Sequence, residues 1–485
     1  MPRSARVIVV GGGIAGLATG LNLKDRAASV PGGLEIQVLE AGARAGGRVQ
    51  TEHWNGFTIE QGPTGFLDDA PPTAALVERL GLTTELCRAD GAASTRFLFY
   101  NGCLHAIPSG PVAFLRSPIL SRRARLRVLL EPFVPRGSQG ADETVHEFAS
   151  RRVGAEAAEV LADAMVSGLF AGSARELSLA STFPALAALE AEHGSLVRGL
   201  IVRRRKARTE NRERGYSRNG LGPGGRLSSF RQGLGTLIHR LATALEGAVL
   251  CDQQVVSVEP VARANAVAPA HGAFRWRVTT AAGTRLEADA VVVAVASRDA
   301  SSLLINADRV LAQTVGMMPT AAVVVVALGF ETRALGGLPS GFGFLVPRNQ
   351  GLRTLGCVWD SSVFPGRTPG GTMLLRCILG GAHDANAMQA DDESLGWIAR
   401  RDLETAMGIM ASPILARVYR HPLGIAQYVC GHRDRLNLVE QRLRELPGLW
   451  VAGSSYYGVS INACVDKARR QADEILAFLG APSTR

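Results

Sequence analysis

Nowhere in its 485 residues does the chain hold a run of about 18 consecutive apolar residues, the length a membrane-spanning helix requires. Its most apolar segment, Ala321 to Leu328, is short and rich in valine and predicts a buried strand. The seven cysteines are scattered, odd in number and lack metal-ligand spacing, so neither a disulfide framework nor a metal site is expected. Free thiols in a reducing compartment fit better. There is no internal repeat, which excludes a solenoid. The first strand begins at Val7, leaving no room for a signal peptide, and the expectation is a cytoplasmic protein. Aromatic residues are only 6% of the chain and do not interleave with its basic residues. No nucleic-acid partner is expected, despite a formal net charge of +10.

What the chain has is ample core and many turns. Hydrophobic residues make up 46%, and 55 glycines suit a loop-rich α/β protein of two or three domains. The apolar strand Val7 to Val10 runs into Gly11, Gly13 and Gly16, and a second, Ile36 to Leu39, ends at Glu40. This is the fingerprint of a dinucleotide-binding βαβ unit. Gly11 permits the tight turn, Gly13 admits a pyrophosphate close to the backbone, and Gly16 lets helix pack on strand. The loop of Gly11, Gly12, Gly13, Ile14, Ala15 and Gly16 then places a pyrophosphate on the helix N-terminus. Glu40, with Ala41 beside it, suits the ribose hydroxyls.

Arg44, Gly46, Gly47 and Arg48 follow that acid, and Glu60-Gln61-Gly62-Pro63-Thr64 comes shortly after. Glycine pairs are most often plain surface turns. A second Gly-Gly-Arg turn beside the ribose carboxylate is of little use to a nicotinamide enzyme. It suits the longer FAD, so FAD is preferred to NAD. Near the other end, Leu449 to Val451 predicts a buried strand ending at Gly453. A polar stretch, Gly458-Val459-Ser460-Ile461 and a helix through about Leu479 follow. That junction aims N–H groups at an acceptor such as the flavin C2 carbonyl and N1. Val255 and Val258 precede a meander and the strand Ala290 to Val295, which places Val255 at the adenine. One cofactor domain is thus expected from three separated stretches.

The charge is uneven. Ten Lys/Arg and two Asp/Glu lie between Arg198 and Arg226, and Arg116, Arg122, Arg123, Arg125 and Arg127 occur with no acid among them. The latter group predicts a helix from Pro118 to Leu130, capped by Ser117. Such a helix suits either an anionic membrane interface or a solvated arginine face. The stretch from Arg203 to Gly225 predicts a mobile loop.

Gly11 to Leu17, Glu40, Gly46-Gly47-Arg48 and Glu60-Gln61-Gly62-Pro63 resemble the FAD superfamily of amine oxidases, phytoene desaturases and protoporphyrinogen oxidases. Several further stretches resemble the oxygen-dependent protoporphyrinogen oxidases in particular. They are Ser167 to Gly172, Thr182-Phe183-Pro184, Gly341 to Pro347, Phe364-Pro365, Gly380-Gly381 and Pro422 to Tyr428. The resemblance covers essentially the whole chain in order. It departs at Thr64, where Asn is usual, at Ser460, where Gly or Ala is, and at Ala463, where Asp is common.

The resemblance implies an α/β fold: a Rossmann-like FAD-binding domain, a mixed-sheet substrate domain and an inserted α-helical membrane-binding domain. The boundaries read from it give FAD segments 1–85, 229–298 and 426–485, and substrate segments 86–115 and 299–425. The helical insertion is then 116–205, followed by a basic loop over 206–228. Non-covalent FAD, molecular oxygen, a porphyrinogen substrate and an anionic membrane surface are the implied partners, and a homodimer is left open.

The reaction it implies is the six-electron oxidation of protoporphyrinogen IX to protoporphyrin IX, with hydrogen peroxide as by-product. Arg96 matches the family arginine that holds a propionate. Phe342, Val358 and Ile378 match positions that sandwich the macrocycle, and Gly168 a position close to it. No acid–base constellation emerges, so no catalytic side chain is assigned. Coproporphyrinogen III is the alternative substrate. A carotenoid-type desaturase, an amine oxidase and a non-enzymatic flavin-binding scaffold are the other readings. Ser454 argues against the amine oxidase, which usually carries Glu there.

Overall fold

The computed structural model describes residues 3–137, 140, 142–203, 205, 225–262, 274–336 and 340–481. Apolar residues alternate along the first strand, Ala5–Val10, so that Val7 and Val9 enter one core while Ile8 and Val10 enter another. A strand buried on both faces belongs inside a parallel sheet, and this one does. It lies between Leu34–Leu39 and Ala290–Val293, all parallel. The pair Val249–Leu250 and the strand Leu449–Val451 form the two edges. Three separated stretches thus build one sheet, as expected.

The helices Ile14–Lys24 and Ile461–Phe478 cover one face, sharing a core of Leu17, Leu21, Val465 and Ile475. The antiparallel meander Val255–Ala262, Phe274–Thr280 and Arg285–Ala288 covers the other, through Val258, Trp276 and Val278.

A second, seven-stranded sheet is mixed. Its order is Leu415–Ala426, Thr320–Glu331, Thr372–Gly380, Thr354–Trp359, Gly343–Leu345, Phe97–Tyr100 and Cys103–Ala106. Only the Gly343–Leu345 and Phe97–Tyr100 pair is parallel. The Val-rich run becomes part of a 12-residue, largely buried interior strand. The helix Asp392–Met407 covers one face through Leu395, Ala399 and Leu403. The other face turns toward the nucleotide fold.

A set of helices from Pro111 to His193 packs on the mixed sheet through Leu98 and Leu345. Of the helix expected from Pro118 to Leu130, only Arg122–Leu129 is helical, and a separate short helix, Pro111–Arg116, precedes it. Ser117 precedes proline, which disfavours helical backbone, and it is extended. Ser121 is the real cap, its hydroxyl accepting the Ala124 N–H at 3.2 Å. Of the basic loop over 206–228, residues 206–224 lie outside the described residues. Its end is not loop: Leu227–Phe230 is a strand pairing with Phe66–Leu67 and Leu86–Arg88.

Candidate active site

The two glycine motifs near the N-terminus meet. Gly13 bridges Gly46, and the Gly46 N–H donates to the Gly12 carbonyl at 2.8 Å. Gly16 has no room for a side chain, because a Cβ would stand 2.0 Å from the Gly11 carbonyl oxygen. At Gly13 the space where a Cβ would point is open. Its helix, Ile14–Lys24, has no side-chain cap, so its first N–H groups face that space without an acceptor. Glu40 is held at the end of its strand, one carboxylate oxygen accepting from Gly12 and the other from Gly42, both at 2.8 Å. Gln253 donates to the Glu40 carbonyl at 2.8 Å, which brings the start of the Val255 strand beside this acid.

Arg48 is half-buried and forms no salt bridge among the described residues. It donates to the Ser454 hydroxyl at 3.0 Å, and desolvation lowers its pKa. A cation with no ion-pair partner among the described residues, beside uncapped N–H groups and a ribose-ready carboxylate, is complementary to a dinucleotide diphosphate. The chain's last segment closes this cradle. Gly453 and Gly458 adopt φ of +106° and +130°, and Ser460 caps the final helix by accepting from Ala463 at 3.1 Å. One N–H expected to face the flavin is committed elsewhere: Gly458 donates to the Tyr428 hydroxyl at 2.7 Å. The first turn from Ile461 is left with the open donors. These residues fit FAD.

Glu60 to Thr64 lies against the same turn, since a Cβ on Gly62 would stand 2.2 Å from the Arg48 carbonyl oxygen. The mixed sheet grips this stretch. Arg376 donates to the carbonyls of Glu60 and Gly62 and to the Thr64 hydroxyl, and His421 bonds the Gln61 carbonyl at 2.7 Å. Arg367 pairs with the buried Glu60 carboxylate at 3.1 Å. His421 donates through Nε2, since a carbonyl can only accept, and burial lowers its pKa.

Arg376, Val358 and Ile378 share the sheet face turned toward the nucleotide fold. Val358 is the register partner of Arg376, and Ile378 lies two residues further along the strand. Val358 and Ile378 are half-buried, as is Phe342, which joins Val358 in one apolar cluster. Arg96 lies 5.2 Å from the centre of the Phe342 ring. It makes no ion pair among the described residues, and although solvent reaches it, desolvation lowers its pKa. Gly168 meets protein at its open side, where a Cβ would stand 2.3 Å from the Leu345 side chain. Close approach of helix to sheet is a sufficient reason for glycine there.

Residues 14–476 match the model of the flavin containing amine oxidoreductases. The chain belongs to that family. It is therefore an oxidoreductase with a flavin cofactor, on the mixed α/β fold of that superfamily. It is similar to a human protoporphyrinogen oxidase, 34% identical over 487 residues, with 97% of this chain and 98% of that protein covered. It is 29% identical over 483 residues to a coproporphyrinogen III oxidase of Bacillus subtilis, covering 98% of each. A crystal structure from Exiguobacterium sp. 255-15, provisionally assigned as a protoporphyrinogen oxidase, superposes with a TM-score of 0.81. That pair is 27% identical, covering 98% of this chain and 99% of the other.

The expected cofactor residues therefore converge, and Arg96, Phe342, Val358 and Ile378 lie along one side of the mixed sheet. Sequence reading missed Arg376, Asp360, Arg367, His421 and Tyr428. Arg376 carried a signal as a lone charge in the apolar strand Thr372–Gly380, and Tyr428 as the end of a stretch that resembles the family.

Proposed function

We propose that this flavoprotein oxidises a porphyrinogen to the porphyrin, with protoporphyrinogen IX as the substrate and non-covalent FAD as the cofactor. Bound FAD supplies the two-electron acceptor for three successive oxidations, and oxygen restores it with release of hydrogen peroxide. The observation that carries this reading is Arg96, a cation with no counter-ion among the described residues, at the edge of an apolar surface. A flat, apolar substrate rimmed by carboxylates fits such a surface. Its fixed guanidinium fork grips one propionate in a bidentate manner. Phe342, Val358 and Ile378 would exclude water from the macrocycle. Glu40 and Arg48 would hold the ribose and diphosphate ends of the cofactor.

A second reading, coproporphyrinogen III, is favoured by the full-length similarity to the Bacillus subtilis oxidase. That substrate carries two more carboxylates and needs cationic partners beyond Arg96. Incubating the purified, aerated protein with each porphyrinogen and identifying the porphyrin by chromatography separates the two. Equal, uncatalysed product in both would leave only a flavin-binding scaffold. Acid precipitation tests the cofactor: intact FAD should appear in the supernatant, and flavin retained on the chain would refute the non-covalent link.

The helices from Pro111 to Phe133 support peripheral attachment to anionic lipid. They expose Val112, Leu115, Leu126, Leu129, Leu130 and Phe133, with Phe133 78% exposed, beside Arg116, Arg122 and Arg123. An apolar patch bordered by arginines suits an interface. No helix among the described residues is long and apolar enough to cross a membrane.

A further inference from the structure

The structure assigns Arg376 a positioning role: it sets the flavin edge against the substrate face. This inference rests on the flavin and substrate reading above. Arg376 lies mid-strand and is 2% exposed. All five of its N–H groups are used. Nε and one Nη2 hydrogen form a fork with Asp360, at 2.7 and 2.9 Å. Nη1 donates to the carbonyls of Glu60 and Gly62, both at 3.0 Å, and the second Nη2 hydrogen reaches the Thr64 hydroxyl at 2.8 Å.

A buried ion pair is weak evidence for stability, since well-packed apolar residues often do as well. What the pair does supply is a fixed distance. Its recipients are the backbone of residues 60–64, across more than 300 residues of sequence, and Gly62 lies directly on the Arg48 carbonyl. Displacing this stretch therefore displaces the Gly-Gly-Arg turn. On the sheet, Arg376 is the register partner of Val358 and two residues from Ile378. Two paired strands thus carry both part of the proposed substrate surface and the grip on the cofactor side. A misplacement of about 1 Å between reacting partners is enough to cost about a hundredfold in rate.

The test compares the FAD-loaded parent with Thr64→Val, Arg376→Lys and Arg376→Gln. Flavin absorption spectrum, flavin midpoint potential, and kcat and KM per bound flavin with protoporphyrinogen IX are measured. Thr64→Val removes one acceptor and leaves the ion pair intact. It should lower kcat about threefold with KM nearly unchanged, and shift the flavin spectrum. Arg376→Gln should lower kcat tenfold or more, and Arg376→Lys should recover part of it. A purely structural role predicts loss of thermal stability alone. Parental kcat, spectrum and potential in both Thr64→Val and Arg376→Lys would overturn the inference, even if Arg376→Gln fails to fold. Should the parent bind flavin but leave porphyrinogen unoxidised, the substrate reading falls. The spectrum and potential then still decide the role of Arg376.

Discussion

Arg48 donates to the Ser454 hydroxyl at 3.0 Å, a bond that spans 406 residues of sequence. It ties the second glycine turn to the loop that follows the last strand. The same loop is braced from the opposite side by Tyr428, whose hydroxyl donates to the Ser454 carbonyl at 2.6 Å and accepts from Gly458 at 2.7 Å. The Tyr428 ring stacks on His432, 4.2 Å between centres.

Tyr428→Phe should therefore loosen the final loop and weaken FAD binding. Two hydrogen bonds are lost, and each is worth about 0.5–1.5 kcal/mol. FAD affinity should fall about tenfold, read by titrating apoprotein with FAD. Unchanged affinity would mean that the loop holds its shape without the tyrosine.

Arg96→Ala should leave FAD in place and impair porphyrinogen oxidation. A charge-assisted bond to a carboxylate is worth about 1.5–3 kcal/mol, or a ten- to hundredfold drop in kcat/KM. Arg96→Lys should restore only part, because the ammonium keeps the charge and loses the fork. Parental turnover in Arg96→Ala would place the substrate elsewhere.

The structure divides the arginines of the second short helix. Arg125 donates to the Leu115 carbonyl, and Arg127 to the carbonyls of Arg151 and Arg152, so both are used inside the protein. Arg122 and Arg123 are exposed. Arg122→Gln with Arg123→Gln should reduce pelleting with phosphatidylserine-containing vesicles, and added salt should reduce pelleting of the parent. Phe133→Ser should lower the salt-resistant part. Binding indifferent to all three changes would favour a solvated face.

Glu131 anchors the helical segment and is buried. It pairs with Arg152 and accepts from the Ser195 hydroxyl at 2.6 Å and the Leu196 N–H at 2.9 Å. Desolvation pushes its pKa up, but these bonds outweigh it and hold the carboxyl below its ordinary value of 4.5. A lowered folded pKa means that the stabilisation is complete above the ordinary value and is lost as pH falls toward the folded one. Glu131→Gln should destabilise the protein at neutral pH by less than the ~3–5 kcal/mol of a fully orphaned buried charge, because Arg152 keeps Glu190 at 3.3 Å. The gap in Tm between the two proteins should narrow on acidifying below about pH 4.5. A gap that is constant across that range would show that the charge on Glu131 contributes nothing.

The cofactor half of the site was legible because its signals are local. Gly11 to Gly16 and Glu40 are read from turn geometry and strand ends within one βαβ unit, and the Gly453 junction from a strand meeting a helix. The grip on residues 60–64 was not. Arg376 and His421 act on carbonyls 314 to 360 positions away, and a backbone acceptor leaves no mark on the sequence. Thr64, a departure from the Asn usual in the resembling family, has a partner only once Arg376 is seen beside it. The helix start failed for a local reason. Both Ser117 and Ser121 suit a cap, and Glu156, 35 residues on from Ser121, bonds its N–H and hydroxyl, each at 2.6 Å.

The nucleotide sheet takes its edge strand Leu449–Val451, and the helix that covers it, from the end of the chain. At about 5–20 residues per second, a ribosome needs on the order of 20–90 s to travel from the first strand to that edge. Until then the strand Ala290–Val293 has a bare side, and the helix Ile14–Lys24 has nothing packed against it from Val465 and Ile475. Flavin capture is thus a late event in the life of each molecule, and the nascent chain must be kept from pairing that open edge with a neighbour.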